Sequence, residues 1–236
     1  MTEAEWLACA DPDPMVRAVV DMVSERRLRL FVCACVRRLL DLDAAPECRR
    51  AVEVAERFAD GLASEQELQA ADRAMLVHTE PGALAPAQPD TYYAYRSLPF
   101  FSVRAATHPR ASHAALVAAN PALPFGPGPV GPGTPAEGRR HRQAFVELLR
   151  EVVGNPFRRL KVPAAWLLAN EATAQRLAQG IWEEQDFKRL PILGDALEDA
   201  GCGNAAILDH CRRQGGHVRG CWVLDLFLGT DPLLGK

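Results

Sequence analysis

The stretch SERRLRLFVCACVRRLLDL, residues 24–42, decides the fold class. Leu28, Phe31, Val32, Cys35, Val36, Leu39 and Leu40 recur at three- and four-residue spacing, the period of one side of an α-helix. Arg26, Arg27, Arg29, Arg37 and Arg38 fall largely off that stripe. Ser24 stands where an N-cap belongs, so a helix is expected from Glu25 to about Leu42.

Toward the N-terminus, Thr2 and Glu5 form a capping box for a short helix anchored by Trp6 and Leu7. Asp11-Pro12-Asp13-Pro14 ends it. Asp13 is read as the next cap, with Pro14 at the first helical position of a segment reaching about Val23. Downstream, Pro46 opens a helix whose expected inner face is Ala51, Val54, Ala55, Phe58 and Ala59, with Gly61 as its stop. Ser64 and Glu67 make a second capping box, for a helix to about Val77.

Residues 79–138 differ in character. The run from Pro124 to Gly133 alternates Pro and Gly and reads as a loop. Tyr92, Tyr93, Tyr95, Phe100 and Phe101 lie upstream, and a short helix fits 112–119. Helical pattern resumes at Ala136, with Phe145, Leu148, Leu149, Val152 and Val153 on one face and Gly154 at its end. Pro163–Leu168 reads as a helical turn carrying Trp166. Asn170 then caps a helix from Glu171 to Glu184. Leu190-Pro191 begins another helix, stopped by Gly201, and Asn204 caps a short one through Ile207, Leu208 and Cys211. His217–Leu228 is apolar all round, which suggests a buried final helix, with a buried strand as the competing reading. The expected architecture is all-α: stacked short helices in an N-terminal lobe (1–78) and a C-terminal lobe (139–236), joined by the Pro/Gly/Ala-rich segment 79–138.

The 236 residues carry a formal net charge of −3, which gives no global reason to expect nucleic acid or an anionic membrane. The N-terminus shows no apolar signal segment, and the apolar stretches are too short or too charged to span a bilayer. The 7 cysteines, odd in number and irregular in spacing, read as reduced thiols, and a cytoplasmic location is expected.

Three blocks carry a resemblance. The first is Met1–Leu7 followed by Arg27–Cys35, and the second is Gly154-Asn155-Pro156-Phe157-Arg158. The third runs Leu190–Leu193 and Asp195–Cys202, then His210-Cys211-Arg212, His217–Trp222 and Asp225-Leu226. Together they resemble a paralogous family of uncharacterised proteins from planctomycete-type bacteria. The Pro/Gly-rich centre departs from the pattern. The resemblance implies a bacterial, cytosolic protein and carries no activity with it.

The sharpest chemical feature is C-terminal: Cys202, His210, Cys211, His217 and Cys221. Zinc takes four Cys or His ligands in structural sites, and these residues could converge if the last helices pack as a hairpin. No Cys-x-x-Cys knuckle accompanies them, so packing thiols are the alternative. Cys33 and Cys35 lie two apart on a helix, about 200° round it, and cannot share an ion. Cys221, His217 and Asp225 supply the residue types of a nucleophilic site, but at stacked four-residue steps that suit a triad poorly, and Asp225 reads more simply as a buried carboxylate. The Gly/Pro run lacks the N–H groups of a phosphate cradle. The Arg pairs 26/27, 37/38, 49/50 and 139/140 are interleaved with Glu and read as solvated faces, which leaves nucleic acid a lesser alternative. By elimination, the expectation is a non-catalytic helical interaction or scaffold module without a cofactor. A zinc-binding structural or regulatory protein is the alternative.

Overall fold

Capping side chains set where the helices begin. The computed structural model describes residues 1–39, 46–76, 103–119, 135–158 and 160–230, and every regular element among them is helical. The chain divides into two compact units, Met1–Leu149 and Arg150–Lys236. The Tyr92–Phe101 aromatic segment and the Gly/Pro run lie outside the described residues.

In the first unit, α1 (Glu3–Ala8) carries the expected box: Thr2 Oγ1 accepts from the Glu5 N–H at 3.3 Å, and Glu5 accepts from the Thr2 N–H at 2.7 Å. Helix α2 (Pro12–Val19) starts two residues earlier than expected. Asp11, not Asp13, is the cap, accepting from the Asp13 N–H at 3.1 Å, and Pro12 takes the first helical position. Asp13 instead pairs with Arg17 at 2.9 Å, one turn on. Helices α3 (Glu25–Leu39), α4 (Pro46–Ala59), α5 (Glu65–Leu76), α6 (103–107) and α7 (Ala111–Ala119) follow. Ser24 and Ser64 cap as read, accepting from the N–H groups of Arg27 at 3.3 Å and Glu67 at 3.2 Å.

Helix α3 packs against both α4 and α7. With neighbours on two sides, residues 27–36 are all buried, Arg29 among them, and this overturns the reading of Arg27 as part of a solvated face. Arg29 is held by backbone oxygens. It donates to the carbonyls of Ala106 at 2.8 Å, His108 at 2.7 Å and Pro109 at 2.9 Å, and its guanidinium lies 5.0 Å over the Phe58 ring. Ten residues' worth of enclosure also explains Cys33 and Cys35, which pack as small apolar groups; burial pushes the Cys35 thiol well above its usual range. On α4 the buried face is Cys48, Ala51, Val52, Ala55 and Glu56, rotated from the expected set. The rotation goes with Glu56, which accepts from Arg37 at 2.6 and 2.8 Å.

Helix α8 (Pro135–Val153) contains the division between the units. In the second unit, α9 (Ala164–Glu184) is broken at Ala169–Ala172, where Asn170, Glu171 and Ala172 have positive φ. The break falls where the Asn170 cap was expected, but Asn170 enters the left-handed region, and it is its carbonyl that accepts, from the Thr173 hydroxyl. After a 3₁₀ turn (Phe187–Arg189) come α10 (Leu190–Asp199), α11 (Ala205–Arg212) and α12 (Trp222–Leu228). Asn204 caps α11 through the Ile207 N–H at 3.3 Å. Ile181, Leu190, Leu193, Leu197, Ile207 and Val223 form the heart of the core, and Cys202 and Cys211 pack within it. At Gly194 a Cβ would come within 3.0 Å of Cys211 Cβ, so the lack of a side chain there lets α10 approach α11.

The last segment corrects the sequence reading. Only Trp222–Leu228 is helix, with Cys221 as its N-cap; 213–221 is loop. Gly215, Gly216 and Gly220, all at positive φ, bend the chain before any helix can start. His217 and Cys221 therefore do not share a helix face.

Arg29→Met should lower the stability of the first unit by about 3 kcal/mol, because the buried Ala106 carbonyl and the part-buried carbonyls of His108 and Pro109 lose their donor while the apolar stem stays. Urea denaturation followed by circular dichroism measures it. Arg29→Lys should recover only part of the loss, since an ammonium cannot span the three acceptors.

Candidate metal centre

The last turn of α8 buries a carboxylate. Glu151 is 1% exposed, two residues before α8 ends at Val153. Gly154 then turns the chain at φ +70°, and a Cβ there would meet Trp222 Cγ at 3.0 Å. The next residues form an Asx turn, with Asn155 Oδ1 accepting from the Phe157 N–H at 3.0 Å. This turn sets the end of α8 against the start of α12.

Three segments bring donors to Glu151. His210 comes from α11, Arg213 from just beyond it, and His217 from the glycine-bent loop. Glu151 Oε1 lies 3.0 Å from His217 Nδ1. Glu151 Oε2 is paired with the Arg213 guanidinium and stands 3.5 Å from His210 Nε2. Cys221 Sγ is 3.1 Å from that same His210 nitrogen. One ligand atom each from Glu151, His210, His217 and Cys221 lies within 4.8 Å of the others, a grouping that could hold a metal ion.

The two imidazoles are wired differently. Trp222 Nε1–H donates to His210 Nδ1 at 2.9 Å. An indole nitrogen can only donate, so Nδ1 is the acceptor and the neutral ring carries its proton on Nε2, toward Cys221 and Glu151. His217 Nε2 lies 3.1 Å from the Arg213 carbonyl, so it donates. Its Nδ1 then faces the Glu151 carboxylate, which also only accepts. Both contacts are satisfied when the ring is an imidazolium, or when Nδ1 and the carboxylate share a cation.

Burial is the largest influence on Glu151 and opposes its ionisation. The hydrogen bonds and charges of His210 and His217 outweigh it and hold the carboxyl down at about 2. Burial also pulls the His210 pKa down, against the pull of Glu151. For Cys221, burial and then the Glu151 charge push the thiol well above its usual range, so without a compensating cation it is a thiol and a poor nucleophile.

Of the sequence candidates, His210, His217 and Cys221 come together. Cys202 and Cys211 sit in the apolar core outside the group, and burial pushes the Cys211 thiol up to about 12. Asp225 is buried in the first turn of α12, accepts from the Thr230 hydroxyl at 2.8 Å, and stands apart from the cluster. Glu151 was missed. Its signal was a carboxylate flanking the apolar stripe of α8 directly before a Gly-Asn-Pro turn, a place where burial is expected. No family model, no curated protein and no solved structure matches the chain. The reading of the site therefore rests on its chemistry. Among the described residues no helix is long and apolar enough to cross a membrane.

Glu151→Gln isolates the ionised form. Because Glu151 titrates at about 2 in the folded chain against an ordinary 4.5, its contribution is present in full above pH 4.5 and fades as the pH falls toward 2. In chelator-containing buffer the variant should be less stable than the native chain by about 3 kcal/mol at pH 7. The gap should shrink steadily below pH 4.5, as read from urea midpoints across pH. Gly154→Ala should also destabilise, by about 1–3 kcal/mol, through positive φ and the push on Trp222.

Proposed function

We propose that this is a zinc-binding helical protein in which Glu151, His210, His217 and Cys221 hold one structural or regulatory ion. The observation that carries the reading is the approach of four ligand atoms of three chemical kinds to within 4.8 Å of one another. Zinc accepts thiolate sulfur, imidazole nitrogen and carboxylate oxygen at about 2.0–2.3 Å, and structural sites use four such donors in a tetrahedron. Neighbouring donors around such an ion lie about 3.3–3.8 Å apart; His210 Nε2 stands 3.1 Å from Cys221 Sγ, and the two Glu151 oxygens stand 3.0 Å from His217 Nδ1 and 3.5 Å from His210 Nε2.

Charge and burial agree with this reading. One carboxylate, one thiolate, two neutral imidazoles and a divalent ion sum to zero at the ion itself, which a dry site tolerates, and the half-exposed Arg213 guanidinium paired with Glu151 adds one positive charge at its edge. The ion also supplies what the Cys221 thiol lacks, a cation that favours its deprotonated form. His217 donates its far N–H to the Arg213 carbonyl, as a ligating imidazole commonly does. Four protein donors leave no open coordination position, which favours a structural or regulatory role over catalysis. The ion would tie the end of α8, α11, the 213–221 loop and the start of α12 together.

Elemental analysis of protein purified without a histidine tag should find about one zinc per chain, falling several-fold in Cys221→Ser and His217→Ala. Cobalt loaded in its place should give the absorption bands of a tetrahedral site, with a sulfur charge-transfer band absent from Cys221→Ser. Absence of stoichiometric metal from the native chain, or full binding in a Glu151→Gln/Cys221→Ser double variant, would sink the reading.

A further inference from the structure

We infer that Trp222 is a latch on this site: its indole N–H holds His210 in the tautomer that cannot ligate, so capture of the ion must release the indole. The inference rests on the metal-binding reading above. It starts from the 2.9 Å bond in which Trp222 Nε1–H donates to His210 Nδ1. That bond puts the single proton of a neutral His210 on Nε2, the atom 3.1 Å from Cys221 Sγ and 3.5 Å from Glu151 Oε2. Ligation through Nε2 needs the lone pair there. The ring proton must then sit on Nδ1, where it would face the indole N–H, donor against donor. The two arrangements exclude each other, so Trp222 is a positioning residue that acts through His210.

His217 marks the contrast. Its far nitrogen already donates to a carbonyl, at 3.1 Å from Arg213 O, and its near nitrogen already faces Glu151. It needs no rearrangement to ligate. The site thus pairs one imidazole set for an ion with one set for hydrogen bonding, and the indole alone makes the difference.

Two features make the latch more than a local contact. Trp222 follows Cys221, itself a donor, and is the first residue of α12. Its ring also lies against Gly154, three residues beyond Glu151, where a Cβ would come within 3.0 Å of Trp222 Cγ. An indole displaced from His210 must shift against that turn or turn at the root of α12. Occupancy of the site is thereby passed to the start of the last helix, which makes the ion's presence a switch between a hydrogen-bonded and a coordinated arrangement.

The test is zinc titration of the full chain watched by indole ¹H–¹⁵N resonances. The Trp222 cross peak is identified by its absence in Trp222→Phe, or by backbone connectivity should that variant not fold. One equivalent of zinc should move this peak strongly and leave those of Trp6, Trp166 and Trp182 nearly in place. Trp222→Phe should bind zinc about tenfold more tightly in competition with a chromophoric chelator, because the opposing hydrogen bond is gone. Stoichiometric zinc with the Trp222 peak unmoved, or with unchanged affinity in a folded Trp222→Phe, overturns the latch and leaves the metal reading standing. No zinc bound by either protein overturns both.

Discussion

A carboxylate with 1% exposure at the end of a helix is a severe constraint on everything near it. Desolvating the charge of Glu151 costs far more than one hydrogen bond returns, so it must be met by several donors at once. The chain meets it from one short stretch more than fifty positions further along: His210 on α11, Arg213 just beyond, and His217 in the loop. Each of these contacts fixes a different stretch of backbone. Once His217 is held, the glycines at 215 and 216 have only a short path to follow, and Cys221 arrives beside His210 at 3.1 Å. Trp222 then has one place to go, between His210 and Gly154.

The sequence carried the helical class and most of the caps because these depend on local chemistry. Thr2, Ser24, Ser64 and Asn204 cap as read, since a hydroxyl or amide three residues before an N–H needs no help from the rest of the fold. The misplaced start of α2 is a local error too, a choice between two Asp-Pro pairs that the reach of Asp11 to the Asp13 N–H decides. The burial of Arg29 was not legible, because it depends on carbonyls about eighty positions away. The site was half legible. His210, His217 and Cys221 stood out by residue type, but Glu151 joins them from across the second unit, and the helix assumed over His217–Leu228 hid the loop that brings them together. The Tyr92–Phe101 aromatic segment, expected to dock on the helical core, lies outside the described residues.

The buried cysteines separate into two kinds by surroundings alone. Cys35, Cys48 and Cys211 have thiols raised by burial and pack among apolar side chains, which suits small hydrophobes. Cys221 is equally buried but faces imidazole and carboxylate groups. The backbone N–H groups of Val223 and Leu224 favour its thiolate, but burial and the Glu151 charge outweigh them. A cation shared with the carboxylate and the two rings would reconcile these influences, and that is why this cluster, unlike the other buried thiols, is a group that could hold a metal ion.

Helix α3 serves the corner between α6 and α7 from both ends of the electrostatic scale. Glu25 accepts from the Ala111 N–H at 2.6 Å and the Ser112 N–H at 3.3 Å, where α7 begins, while Arg29 donates to the carbonyls of Ala106, His108 and Pro109, where α6 ends. A single turn of one helix thus neutralises the positive start of one dipole and the negative finish of another. The corner leans on α3 for these backbone bonds, with Asp72 of α5 adding a second hold through Arg104 and Thr107, so unwinding α3 should expose the amides where α7 begins to solvent exchange.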